Sequence, residues 1–234
     1  MDDPIGTAIK DYFENGMAPD ISINTNYTEG ETIPPAWFFR TFNEMPVIEQ
    51  KAIKLCRGRI LDVGAGAGSH TLVLQKKGKD VTALEKSQAA IHVMKKRGVE
   101  KIIHSDLYAF RNEKFDTILV LMNGTGIGGT LQGLKKMLLH LKSLLNADGQ
   151  ILIDSSDIRY LFEEDDGSYW IDLNSNRYYG EMDYEVSYKN KKSQFKWLFT
   201  DFETLKNASA EAGFHCLTVI SGVHYEYLAK LTKS

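Results

Sequence analysis

Between Arg59 and His70 the chain reads RILDVGAGAGSH. A short apolar run ends on Asp62, and Gly64, Gly66 and Gly68 follow with only alanines between them. Glycine tolerates positive φ and carries no Cβ, so a ligand can lie almost against such a main chain. The pattern demands a strand, a tight loop and a helix in succession. Ser69 is the expected N-cap of that helix, which runs to about Gln75. Its first turn offers unpaired N–H groups to a carboxylate or phosphate.

Dinucleotides and S-adenosylmethionine both bind loops of this kind. The dinucleotide pattern wants glycine at the first, third and sixth positions. Counted from Gly64 the sixth position is Ser69, so the match is imperfect. The next strand, Asp80 to Leu84, ends at Glu85, about twenty residues past the first glycine, where an acid grips ribose hydroxyls. An acid there suits a free 2′-hydroxyl and disfavours a 2′-phosphate. A third strand, Lys101 to His104, leads into Asp106 and Leu107.

With Asp62, three alternating glycines, Glu85 and Asp106 at successive strand ends, the chain resembles the class I (Rossmann-like) S-adenosylmethionine-dependent methyltransferases. The resemblance implies S-adenosyl-L-methionine as cofactor and S-adenosyl-L-homocysteine as product. It implies a cofactor site of Asp62, Gly64, Ala65, Gly66, Gly68, Glu85, Lys86, Asp106, Leu107, Met122 and Asn123. Glu85 would hold both ribose hydroxyls. Asp106 would accept from the adenine amino group, with the Leu107 N–H meeting a ring nitrogen. Met122 and Asn123 would stand near the methionine part.

The middle of the chain alternates strand and helix, which implies a parallel sheet covered on both faces. Ser87 caps an expected helix that Gly98 stops after Arg97. Phe115 to Leu121 is nearly continuous in apolar residues, as a central parallel strand should be. Leu131, Leu134, Leu138, Leu141 and Leu145 mark one face of a helix from about Thr130. Ile151 to Asp154 is the fifth strand, and Phe202 to Ala212 a helix closed by Gly213. His215–Ile220 and Tyr225–Leu231 are strands joined by a short turn. The expected fold is α/β: a doubly wound, mostly parallel seven-stranded sheet with a C-terminal antiparallel hairpin, an inserted β-hairpin and an N-terminal helical cap.

Residues 1–56 form the expected cap and 57–234 the core, with the inserted hairpin at about 155–200. Period-two alternation through Tyr178, Gly180, Met182, Tyr184, Val186 and Tyr188 gives one apolar and one acidic face. Phe195, Trp197 and Phe199 alternate on the way back. A four-residue turn, Lys189 to Lys192, would set Val186 against Phe195, Tyr184 against Trp197 and Lys196 against Glu185. The hairpin either extends a sheet, makes a dimer contact or walls a substrate site. The cap is rich in aromatics, and a helix from about Pro46 to Cys56 leads into the glycine run. Tyr12, Trp37, Arg40 and Asn123 are candidates for the acceptor side, Arg40 as partner of a carboxylate on cofactor or acceptor.

Composition narrows the partners. The 234 residues suffice for one domain with a sizeable core. A net charge of −3 argues against a broad nucleic-acid surface. The clusters Lys76-Lys77, Lys95-Lys96-Arg97 and Lys189 to Lys192 read as solvated faces. No apolar run approaches the roughly 20 residues of a membrane helix. Cys56 and Cys216 lack metal-like spacing and read as reduced core residues, which points to the cytoplasm. The six histidines are scattered, so no metal is expected. At the end of the fourth strand Asn123 is followed by Gly124 and Thr125, where methyltransferases of bases and of protein glutamine often carry two prolines and an aromatic. That departure argues for a small-molecule acceptor, with O-, N- or C-methylation open and a monomer or homodimer expected. Two rival functions are a nicotinamide-dependent oxidoreductase and a non-catalytic S-adenosylmethionine binder.

Overall fold

The structure, a computed structural model, describes residues 2–164, 166–169 and 177–234. Seven strands make the main sheet: β3 (Ile60–Val63), β4 (Val81–Glu85), β5 (Ile102–His104), β6 (Phe115–Val120), β7 (Leu145–Ser156), β10 (Phe214–Ser221) and β11 (Glu226–Lys233). Their order is β10-β11-β7-β6-β3-β4-β5. The central strands are parallel, and β11 runs antiparallel to both its neighbours. This is the doubly wound sheet with its closing hairpin, as the sequence pattern implied.

Both faces are covered, so the strands carry apolar residues on both sides. On one face Leu61, Ile118, Val120, Ile151 and Ile153 pack with α5 (Leu131–Ser143) through Leu134, Met137, Leu138 and Leu141. On the other, Ile60, Val81, Leu119 and Leu152 meet α2 (Val47–Leu55) through Ile48, Ala52 and Ile53, and α3 (Ser69–Lys76) through Leu74. Each fully buried Val, Leu, Ile or Met side chain among these contributes about 1.5–3 kcal/mol. Ser87 caps α4 (Gln88–Arg97) by accepting from the Ala90 N–H, and Gly98 ends it in the left-handed region. Asp201 caps α6 (Phe202–Glu211).

The N-terminal segment departs from the expected helical cap. It opens with α1 (Pro4–Asn15) but continues as two strands, β1 (Ile21–Thr25) and β2 (Glu31–Ile33), before a 3-10 turn at Pro35–Phe39. The cause is tertiary: Ile21 and Ile23 alternate with Ser22 and Asn24, and β1 finds an edge to pair with in the insertion. The inserted hairpin, β8 (Glu181–Tyr188) and β9 (Lys191–Leu198), completes a second, antiparallel sheet of order β2-β1-β8-β9. Segments about 160 residues apart in sequence thus form one sheet.

The hairpin register also differs from expectation. Only Lys189 and Asn190 form the turn, with Lys189 at φ 53°, so Tyr188 pairs with Lys191. Tyr184 therefore opposes Phe195, Met182 opposes Trp197, Val186 opposes Ser193 and Asp183 opposes Lys196. A slip of two residues keeps every side chain on its predicted face, so the aromatic side still points inward. That side packs on α1, where Ala8 meets Ile21, Ile23, Val186 and Tyr188, with Phe38 at its border.

Candidate functional site

The carboxyl ends of β3, β4, β5 and β6 converge on one edge of the main sheet, and the second sheet with α1 lies over that edge. The glycine loop takes positive φ at Gly64 (70°), Gly66 (56°) and Gly68 (81°). The three have different duties. A Cβ on Gly64 would meet open space, so only the backbone turn requires glycine there. A Cβ on Gly68 would press on Val99 and Met94, so that glycine lets α3 approach α4. A Cβ on Gly66 would lie 3.7 Å from Phe38, so the cap reaches down to the loop there. Gly68, not Ser69, holds the N-cap position of α3. The Ser69 hydroxyl is taken instead by the Phe38 carbonyl at 2.7 Å.

Glu85 ties the edge together. One carboxylate oxygen accepts from the Gly66 N–H at 2.8 Å, and the other from the Lys86 and Ser87 N–H groups at 2.8 Å each. Asp62 is buried and accepts from the Thr71 hydroxyl at 2.6 Å, joining strand end to helix. The Gly64 and Ala65 N–H groups bond back to the Leu84 carbonyl. Asp106 is exposed and accepts from the Tyr108 N–H at 2.8 Å, with Leu107 buried beside it.

Beyond β6, Met122 and Asn123 adopt φ of 65° and 58° in succession. Two adjacent non-glycine residues in the left-handed region cost on the order of 1–3 kcal/mol each and persist only where the surroundings hold them. Asp154 of β7 supplies that hold, accepting from the Gly124 N–H at 3.0 Å and from Asn123. Burial pushes its carboxyl up to about 6, against the pull of those two backbone donors. The Thr125 hydroxyl bonds to Ser155 and to the Leu198 carbonyl, stitching the 3-10 turn Gly124–Gly128 to the insertion.

The Trp197 ring packs directly against this turn: a Cβ on Gly126 would fall 1.9 Å from it. Gly126→Ala is therefore expected to drive the indole off the turn and lower stability by about 1–3 kcal/mol in urea denaturation. An unchanged midpoint would show that the ring moves freely.

Of the acceptor-side candidates, Tyr12 packs on Phe39 (centroids 4.9 Å apart) and Trp37 sits under the Arg40 guanidinium at 5.4 Å. Arg40 has a carboxylate partner within the chain: it donates to Glu49 at 2.7 Å. The other Glu49 oxygen lies 2.8 Å from His70 Nε2. Burial disfavours a charge on His70, but the Glu49 hydrogen bond and the nearby Asp62 carboxylate raise its pKa overall. The Arg40 Nε is buried with no hydrogen-bond partner among the described residues. Glu49, His70 and Asp154 escaped the sequence reading because only the fold brings them together. Arg97 did too: it is no solvated cation but donates to the Ala67 carbonyl at 2.6 Å and covers the Phe39 ring. Among the described residues no group of three or more His, Cys, Asp or Glu could hold a metal ion.

This edge presents bare main chain at Gly64, an acid at the end of β4 and another after β5, the set that the resemblance assigned to an adenosyl ligand. Comparisons with known proteins agree. A family model described as a methyltransferase domain matches residues 61–153. A search of curated proteins finds no match. Among solved structures, an S-adenosylmethionine-dependent methyltransferase from Bacteroides fragilis, in complex with S-adenosyl-L-homocysteine, is 42% identical with a TM-score of 0.92, and the alignment covers 100% of this chain and 95% of that one. CalS10 from Micromonospora echinaspora, an amino pentose methyltransferase bound to S-adenosylmethionine, is 17% identical with a TM-score of 0.57, covering 80% and 89%. The CcbJ methyltransferase from Streptomyces caelestis is 10% identical with a TM-score of 0.63, covering 83% and 99%. The last two share the fold; the first, similar along the whole chain, shows that this protein belongs to the class I S-adenosylmethionine-dependent methyltransferases, with S-adenosylmethionine as its cofactor.

Proposed function

We propose that the protein is a cytoplasmic enzyme that transfers the methyl group of S-adenosylmethionine to a small molecule seated between the glycine loop and the second sheet. The observation that carries this reading is the Glu85 carboxylate, bound at once to the loop and to the start of α4, at the end of the strand next to the glycine strand. Family membership replaces the nicotinamide alternative.

In this reading Gly64, Ala65, Gly66 and Gly68 present main chain to the cofactor, positioned by Asp62. Glu85 and the neighbouring Lys86 receive the ribose, while Asp106 and Leu107 receive the adenine. Met122 and Asn123 flank the methionine end. Arg40, braced by Glu49, keeps its Nε–H, which has no hydrogen-bond partner among the described residues, for a carboxylate of the cofactor or acceptor. When bound, the sulfonium supplies an already activated methyl group. The chain's task is then chiefly to align the acceptor and exclude water, which can supply several kcal/mol of the barrier. Tyr12 and Trp37 contribute to the cap over that space.

The test is methyl transfer from radiolabelled S-adenosylmethionine to the small-molecule fraction of a cell extract. Label in a low-mass product that depends on active protein is expected. Tight cofactor binding with no transfer to any fraction would favour a non-catalytic binder.

A further inference from the structure

The inward face of the second sheet carries an unusual set of side chains. Tyr184, Phe195, Trp197 and Phe199 stand together, with Tyr184 centroids 5.9, 6.3 and 6.4 Å from the other three. All four rings are only half-buried although they point toward the body of the molecule. Rings that served only as core would be closed over; these leave part of their faces open. Trp197 fixes where the opening lies, because its ring rests on Gly126, three residues after Asn123. Phe38, at the border of the same face, rests over Gly66. The aromatic wall therefore looks into the gap between the glycine loop and the turn after β6.

Among the described strand residues one acid shares this face. Glu31 pairs across β1 with Ile23, and Ile23 in turn with Val186, so its side chain projects on the same side as Tyr184. The other acids of the hairpin, Glu181, Asp183 and Glu185, alternate onto the opposite face. They are engaged there: Glu181 by the Leu131 N–H, Asp183 by Arg177 and Glu185 by Lys192. Glu31 has no hydrogen-bond or ion-pair partner among the described residues. Its charge is felt by the hydroxyls of both Tyr184 and Tyr160, whose pKa values it helps burial to raise. Among the described strand residues the cation on this face is Lys191, beside Tyr188 at the turn end of the hairpin and on the edge strand opposite that of Glu31.

Resting on the small-molecule methyltransferase reading above, we propose that the acceptor is a small organic cation, a molecule bearing a basic amine, whose ammonium group is held by Glu31 beside the Tyr184 ring while its body lies along the rest of the aromatic wall, toward Phe199 and Trp197. The chemistry is complementary. An ammonium over an aromatic face gains about 0.5–2 kcal/mol, more as water is excluded. A solvent-reachable carboxylate supplies the charge partner without the cost of a buried one. A neutral alcohol or a carboxylic acid would gain neither contact.

The test uses benzylammonium and benzyl alcohol as probes, matched in size and differing in charge. Each is titrated calorimetrically at neutral pH into the full-length protein after saturation with S-adenosyl-L-homocysteine. Saturable benzylammonium binding at least 10-fold tighter than that of the alcohol is expected. Glu31→Gln should abolish the difference, while Glu185→Gln, on the opposite face, should preserve it. S-adenosyl-L-homocysteine should bind wild type and both variants alike. Equal or absent binding of the two probes, or a preference that survives Glu31→Gln, overturns the acceptor class. Failure of S-adenosyl-L-homocysteine itself to bind overturns the underlying function, and this inference with it.

Discussion

Replacing Glu85 by alanine is expected to weaken S-adenosyl-L-homocysteine binding by roughly 10- to 100-fold, the loss of one or two charge-assisted hydrogen bonds. The structure adds a second consequence. Three backbone N–H groups, of Gly66, Lys86 and Ser87, lose their common acceptor in the variant. The glycine loop then no longer has its tie to the start of α4. Glu85→Gln separates the two effects, because the amide oxygen still accepts from backbone donors while the charge is gone. Calorimetry should rank wild type above Glu85→Gln and Glu85→Gln above Glu85→Ala. Equal affinity in all three would remove Glu85 from the site.

Asp154→Asn should have the opposite character and stabilise the protein. The native carboxyl is pushed from an ordinary 3.8 up to about 6 by burial, a gap equivalent to about 3 kcal/mol. Because the folded pKa is the higher one, the folded state holds the proton more tightly than the unfolded chain. Native stability therefore falls as pH rises from about 4 to about 6, and the full penalty stands above that window. Asparagine keeps an oxygen for the Gly124 N–H and carries no charge. A gain of about 1–3 kcal/mol at pH 8 is expected, less any backbone bond the second oxygen made. Urea denaturation should show the gain shrinking toward pH 4. His70 acts in a different window. Its raised pKa contributes stability that is complete below about 6.5 and lost as pH climbs through the folded value. The upper slope should persist in Asp154→Asn, and only the lower one should vanish. A variant less stable than wild type at pH 8 would mean that the Asp154 charge is needed to hold Met122 and Asn123 in their left-handed turn.

What the sequence disclosed and what it hid divide along contact distance. The parallel core was legible because Ile60–Val63, Val81–Glu85 and Phe115–Val120 are short apolar runs closed by local signals, such as Ser87 and Gly98 around α4. The glycine loop and Glu85 were legible because their spacing is a matter of chain length alone. The second sheet was not. Its first half is a five-residue alternation, Ile21 to Thr25, whose partner strand begins at Glu181. The hairpin turn was misjudged by two residues because Lys189 accepts the left-handed region, which a lysine does not advertise. Ser69 was expected to cap α3, but the positive φ at Gly68 ends the loop one residue earlier and frees the hydroxyl for Phe38. Arg40 is a candidate partner of a carboxylate from sequence, but that the carboxylate is Glu49, and that His70 shares it, is visible only once folding joins the three in one largely buried cluster.

The most direct measurement is a crystal structure with S-adenosyl-L-homocysteine. The account predicts ribose hydroxyls within hydrogen-bond distance of Glu85, the adenine amino group at Asp106, and the sulfur facing the gap between Asn123 and the aromatic wall. Density for the nucleoside at any other edge of the sheet, with Glu85 still bonded only to its own backbone, would contradict it.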